Sequence, residues 1–283
     1  MHALPGDPFL QEQAIPEEIM LGLKRYYGLD KPLITQYFQY IWNLLQGDLG
    51  PSFKYEGRSV VSIIADSFPF SFMLGFEALC LAVGGGVFLG IFSAINRGKW
   101  IDTLAMIGAV ALISTPNFIL ASGLQYFLAL KLNLFPVARW GTFMHSVLPA
   151  ISLAALPMAY IARLTRANVL DVLEEDFVIC AKAKGISTMG IILRHLLKNS
   201  ILPVVTYIGP LASSILTGSF IIEKIFGIPG LGNWFVISIT NRDYTVIMGV
   251  TIFYSFFLLL SVLLVDLIYP LLDPRISLMK EER

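Results

Sequence analysis

Between two apolar runs of membrane length, this chain carries a charged stretch much longer than a membrane-embedded protein needs. The apolar runs are about Ser71–Ile95, Ile101–Leu130, Ser146–Leu164, Ile201–Ile222 and Val246–Tyr269. A straight helix needs about 20 apolar residues to cross a hydrocarbon core of ~30 Å. The interruption runs from Thr165 to Asn199, and it constrains the fold most. It is polar yet helix-patterned, which suits an element gripped from the aqueous side. Only 14% of the 283 residues are charged, 56% are hydrophobic, and mean hydropathy is +0.72. Soluble domains carry nearer 25% charge, so the chain reads as an all-α polytopic membrane protein with five transmembrane helices.

Composition also excludes. The formal net charge is zero, so nothing points to nucleic acid. Two cysteines, Cys80 and Cys180, and three scattered histidines offer no metal-ligand spacing. There is no G-x-x-x-x-G-K-[ST], H-E-x-x-H or G-x-S-x-G pattern, so no nucleotide site, cofactor site or catalytic residue is expected.

Residues 1–67 read as an extracytoplasmic N-terminal region, with short helices at Pro16–Tyr27 and Gln36–Leu45 and a turn at Gly50-Pro51. Residues 68–283 form the transmembrane domain. In the first span, Gly86 and Gly90 make a small-xxx-small pair suited to close helix packing. The second span is overlong. Pro116, after Ser114 and Thr115, predicts a kinked or tilted single span rather than two half-spans. Basic residues gather on one side: Arg97, Lys99, Arg163, Arg166, Lys182, Lys184, Arg194, Lys198, Arg275, Lys280 and Arg283, against Lys131, Arg139, Lys224 and Arg242 on the other. The richer side is cytoplasmic by the positive-inside rule, which puts the C-terminus inside and residues 1–67 outside.

Within the interruption, residues 171–184 read as one helix, with Leu173, Phe177 and Cys180–Ala181 near one face. Glu174, Glu175 and Asp176 fall early and Lys182 and Lys184 late, an order that complements the helix dipole. Gly185 can end the helix in the left-handed conformation, and Ser187 can cap a second helix whose apolar side includes Ile192, Leu193, Leu196 and Leu197. A helix–turn–helix of this kind can present a short helix to a groove in a partner, and it can equally be a hairpin that only connects two spans.

The same residues carry a resemblance. Ala181-Lys182-Ala183-Lys184-Gly185, then Arg194-His195, Asn199 and Leu202-Pro203, resemble the cytoplasmic EAA loop of ABC-importer permeases, in the longer form of the peptide and nickel permeases. The name-giving acidic residue is absent, and Ile179 stands there. Leu4–Pro8, Gly28–Pro32, Gly218–Glu223, Phe226–Gly232, Asn241–Tyr244 and Asp273-Pro274-Arg275 also resemble family segments, and Gly47–Tyr55 is most similar to the B-type permease of oligopeptide importers. The resemblance implies the type I importer permease fold, with six spans in the family and an EAA-type loop at 165–200. It implies ATPase docking through Glu175, Asp176, Phe177, Ala181, Lys182, Ala183, Lys184 and Gly185. It implies a second homologous permease, two cytoplasmic ATPases that use the ATP, an extracytoplasmic peptide-binding protein, a lipid environment and a bacterial inner membrane. Dipeptide and nickel permeases share most of the loop and remain alternatives. So do a secondary carrier, which would need mid-membrane coupling charges and often shows inverted repeats, and a membrane scaffold without transport. Family members have a span before the Pro-Gly-Asp-Pro segment. The orientation also asks for one, so a mis-set start or truncated gene is expected, which intact mass against 31.4 kDa would test.

Several residues are candidates for the translocation path. Glu77 and Asp266 are carboxylates within spans, and Ser114-Thr115-Pro116 could open backbone groups to a cavity. Glu223 and Lys224 read as an interfacial ion pair or part of an outer gate. Phe226–Gly232 reads as a capping element or a solvated connector.

Overall fold

A computed structural model describes Gly22 and residues 28–186, 188–191 and 202–272. The predicted helix at Pro16–Tyr27 apart from Gly22, Ser187, Ile192–Leu197 with Arg194-His195, Asn199 and the Asp273–Arg275 tail lie outside the described residues. Those described are helical, joined by turns: α1 (Leu33–Leu45), α2 (Val60–Ile95), α3 (Trp100–Ser114), α4 (Asn117–Leu124), α5 (Phe143–Leu173), α6 (Asp176–Ala183), α7 (Thr188–Ile191), α8 (Leu202–Leu216), α9 (Phe220–Phe226), α10 (Leu231–Thr240) and α11 (Tyr244–Leu272). A π-helical stretch, Gln125–Lys131, continues α4. Three helices are single spans by length and composition, and there are five spans if each of two bent pairs counts as one.

The α2–α5 pair is the spine. Helix α2 is 36 residues long, and it begins eleven residues before the apolar run suggests because the Ser59 side chain caps it through Ser62 N (3.1 Å). A Cβ on Gly86 would lie 2.7 Å from the Ile161 side chain, and one on Gly90 would lie 2.6 Å from the Ala162 carbonyl oxygen. These two glycines therefore let α5 approach α2 at backbone range, as their spacing predicts. Gly75 does the same for α8, where a Cβ would lie 2.5 Å from the Ile215 carbonyl oxygen. Leu74, Ala78, Leu148, Leu153, Ile161 and Ile222 fill the core along this seam.

Two predicted boundaries shift. Helix α5 runs through Thr165 to Leu173 because Thr165 and Val169 stay buried there. The second span is not a single kinked helix: α3 and the α4 segment meet at 105°. Proline disfavours helical backbone at the preceding residue, and Thr115 is extended (φ −96°, ψ 122°). The chain thus leaves one helix before Pro116 and begins another after it.

Candidate functional site

At the end of the spine that holds Ile95 and Leu173, the chain folds back on itself. Residues 171–184 form a corner rather than one helix. Helix α5 ends at Leu173, and α6 restarts at Asp176, with the Glu175 carbonyl accepting from Val178 N (3.0 Å). The corner has a packing cause: Val178 and Ala181 are buried with Ile191 against Ile91, Val172 and Leu173. A straight continuation of α5 would carry both away from α2. Ala181 is therefore not on the outward face with Phe177 and Cys180. It anchors the helix instead.

Glu175, Asp176, Phe177, Ile179, Cys180, Ala183, Lys184 and Gly185 are exposed, and Lys182 lies in the last turn of α6. Gly185 has φ +77°, and Ile186 N donates to the Ala181 carbonyl (3.2 Å), which closes the helix as a left-handed glycine cap. The α6 surface thus offers apolar side chains, Phe177 and Ile179, between acidic residues at its start and Lys184 at its end.

Charged side chains fix this end to the spine. Arg166 grips Asp102 through two bonds, Nε to Oδ1 (2.7 Å) and Nη2 to Oδ2 (2.8 Å). The Ser93 hydroxyl donates to Asp102 Oδ1 and the Gly98 backbone N–H to Oδ2 (3.1 Å). One carboxylate, only 5% exposed, therefore joins α2, the α2–α3 turn, α3 and α5. Arg97 adds an exposed bridge to Glu174 at 2.8 Å. Neither Asp102 nor Arg166 was singled out as a site by sequence reasoning, although Asp102 begins an apolar run. The rule applied to Glu77 and Asp266, that a carboxylate within a span is a functional candidate, points equally to it.

The opposite end is built around two other buried carboxylates. Asp243 accepts from the Ser52 hydroxyl, Phe53 N (3.2 Å), Lys54 N (3.4 Å), the Thr245 hydroxyl (2.9 Å) and Val246 N (3.3 Å). It thereby caps α11 and holds the 50–55 segment against it. Glu223 is fully buried and accepts from the Ser71 hydroxyl (2.7 Å) and Asn233 N (3.0 Å). It is not an interfacial ion pair: Lys224 instead lies over the Phe220 ring at 5.9 Å. Glycine makes the burial possible, since a Cβ on Gly230 would lie 2.4 Å from Glu223 Cδ. Phe226–Gly232 is packed rather than a solvated connector, with Phe226, Ile228 and Leu231 buried.

The path candidates do not form one site. Glu77 is half-buried on α2, Ser114 and Pro116 are exposed, Thr115 bonds the Ala111 carbonyl (2.8 Å), and Asp266 is exposed on α11. Among the described residues, no hydrogen bond or ion pair joins these groups to one another. Nor does any group of three or more His, Cys, Asp or Glu there suit a metal ion.

Residues 86–278, from within α2 to beyond α11, match a protein family described as the inner membrane component of binding-protein-dependent transport systems. The chain belongs to this family. A dipeptide transport system permease, DppB of Bacillus subtilis, is 50% identical over 99% of this chain and 91% of its own length. An oligopeptide transport system permease, OppB of Haemophilus influenzae, is 41% identical over 98% and 91%. Among solved structures, the inward-facing MetNI methionine ABC transporter aligns with a TM-score of 0.61 at 16% identity, covering 75% of this chain and 97% of that one. An amino acid ABC transporter aligns at 0.57 and 18%, covering 73% and 92%. These two show the fold, that of type I ABC-importer permeases. The chain is therefore a multi-pass inner-membrane transport subunit rather than an enzyme. It belongs to a family that works with ATPase and substrate-binding partners.

Proposed function

We propose that this chain is the permease subunit of a peptide-importing ABC transporter and that α6 is its ATPase-docking helix. The observation that carries the docking role is the position of α6. Val178 and Ala181 pin it under the α2–α5 spine, while Phe177 and Ile179 remain outside, an apolar pair that a groove in a partner would cover. Arg97, Lys99, Arg163, Arg166 and Lys184 gather towards this end, which supports a cytoplasmic placement and an extracytoplasmic placement of residues 28–59. A second homologous permease completes the path, a binding protein delivers cargo from outside, and the ATPases consume the ATP, with no cofactor in this chain. The break at Ser114–Pro116 and half-buried Glu77 are assigned to the path. Asp266, exposed on α11, is assigned to a helix interface.

Peptide cargo rests on the relatives named for dipeptides and oligopeptides. The likeness of Gly47–Tyr55 to oligopeptide permeases favours the longer cargo. Competition of uptake by dipeptides against pentapeptides decides between them. The docking role is tested by co-purification of the ATPases with Phe177→Glu/Ile179→Glu and with Gly185→Pro. Gly185 has a φ of +77° that proline cannot adopt. Both variants are expected to insert into the membrane and lose the ATPases. Wild-type recovery of the ATPases with either would overturn the assignment.

A further inference from the structure

Helix α1 is amphipathic in a way that neither the docking nor the path role uses. At 100° per residue, Leu33, Ile34, Tyr37, Phe38, Ile41, Trp42, Leu44 and Leu45 fall on one half of the helix, while Thr35, Gln36, Gln39 and Asn43 fall on the other. None of its residues is buried. Ile34, Phe38, Trp42 and Leu45 are between 64% and 76% exposed and form a continuous ridge. The polar side is tied to the preceding turn, with Gln36 Nε2 donating to the Lys31 carbonyl (2.8 Å) and Lys31 Nζ to Gln39 Oε1 (3.0 Å). That leaves the apolar side pointing away from the chain's own polar contacts.

The next segment of the chain sets the height of α1. Gly47, with φ +79°, ends the helix, and Leu49, four residues beyond Leu45, packs with Val60, Val246 and Val250 in the first turns of α2 and α11. Four residues span at most about 14 Å, so the Leu45 end of α1 stays close to the level at which those two spans emerge. Exposed Arg58, just before the Ser59 cap of α2, and exposed Asp66, in its second turn, lie 3.9 Å apart and mark that level as a polar boundary. Tyr37 and Trp42, both exposed, are aromatic residues of the kind that prefer such a boundary.

We infer that α1 lies in the plane of the membrane surface with its Ile34–Phe38–Trp42–Leu45 ridge sunk among lipid acyl chains, anchoring the outer segment that Asp243 ties to α11. A lipid surface suits this face better than a soluble protein. Leu33–Leu45 contains no ionisable residue other than tyrosine, whereas a face that meets a soluble partner has a polar, charged rim. An uncharged helix binds by buried apolar area alone, so its association does not depend on anionic lipid.

The test places a photo-crosslinking amino acid at Phe38 or, separately, at Gln39. The complete transporter is reconstituted in phosphatidylcholine vesicles with its binding protein present. Position 38 is expected to give adducts of phosphatidylcholine mass in several-fold excess over position 39. The total lipid yield should not change when half the lipid is replaced by phosphatidylglycerol. Adducts from position 38 to the binding protein, to another subunit or to the N-terminal part of this chain would overturn the inference, as would equal lipid yields at both positions. The outcome does not depend on cargo or on ATPase docking, so it stands or falls separately from the function proposed above.

Discussion

Replacing Arg166 by alanine leaves Asp102 buried and charged with only the Ser93 hydroxyl and the Gly98 N–H for partners. Removing one member of a buried pair costs about 3–5 kcal/mol. The Arg166 side chain is 26% exposed against 6% for Asp102, so water partly relieves the loss and the low end, about 3 kcal/mol, applies. At roughly 2 °C per kcal/mol for a chain of this size, the apparent melting temperature in detergent should fall by about 6 °C at a fixed scan rate. The double variant Asp102→Ala/Arg166→Ala removes the stranded charge and should recover more than half of that loss. Its deficit would be well below the sum of the two single deficits. Arg163→Ala, which deletes the same charge from an exposed neighbouring position, should change little. A double variant equal to the sum of the singles, or an Arg166→Ala protein that melts no lower than Arg163→Ala, would refute the clamp. ATPase coupling read on the same proteins should follow the melting order, because the clamp holds the part of α5 from which α6 hangs.

Other expectations come from the packing. Gly90→Leu forces a side chain into space already closed by Ala162 and Thr165, and should lower stability by about 1–3 kcal/mol, seen as earlier melting in detergent. An unchanged melting curve would show that α2 and α5 can separate there. Asp243→Ala removes five hydrogen-bond acceptances at once and should cost about 3 kcal/mol, since bonds to a charged group are worth ~1.5–3 each and do not add fully. Hydrogen exchange should speed up at Phe53–Tyr55 and stay unchanged at Ser93–Gly98. Uniform acceleration at both ends would argue against a local tie.

Much of the fold was legible in the chain because the bilayer simplifies the code. A helix in hydrocarbon must be apolar for about 20 residues, and Gly86 and Gly90 stand out against that background as contact points. Gly185 was readable as a helix terminator because the cap is local, complete within six residues from Ala181 to Ile186. What the sequence hid was long-range. Asp102 and Arg166 are 64 positions apart, Ser71 and Glu223 are 152 apart, and neither pair has a spacing that announces it. Periodicity also misled where two partners competed for one segment. Residues 171–184 carry an unbroken helical pattern, yet burying Val178 and Ala181 on Ile91 required a corner. The bend at Pro116 was foreseen in kind but not in size, because proline fixes the preceding residue's backbone without fixing where the next helix packs.

The two ends of the spine are joined by one continuous element. Ser71, which holds Glu223, and Ser93, which holds Asp102, both lie on α2. They are 22 residues apart, or about 33 Å along a helix, close to the thickness of the hydrocarbon core. Between them α2 meets its neighbours at Gly75, Gly86 and Gly90, where its backbone packs directly against them with no side chain of its own between. A displacement of α6 therefore reaches α2 and α5 directly through Val178, Ala181 and the Asp102 clamp. The pair should move as a body rather than bend. At the far end that body carries Ser71, which bonds both Glu223 and Leu231 N (2.8 Å), so the packed turn between α9 and α10 must move with it. The compliant place is elsewhere. Helix α3 is fixed at its base by Asp102, but Leu104, Ile107 and Val110 are exposed, and the chain beyond breaks at Thr115–Pro116. A rigid α2–α5 lever with a soft α3–α4 joint beside it is an arrangement in which a push on α6, the proposed docking helix, can shift α3 and α4 against the spine without unpacking the core.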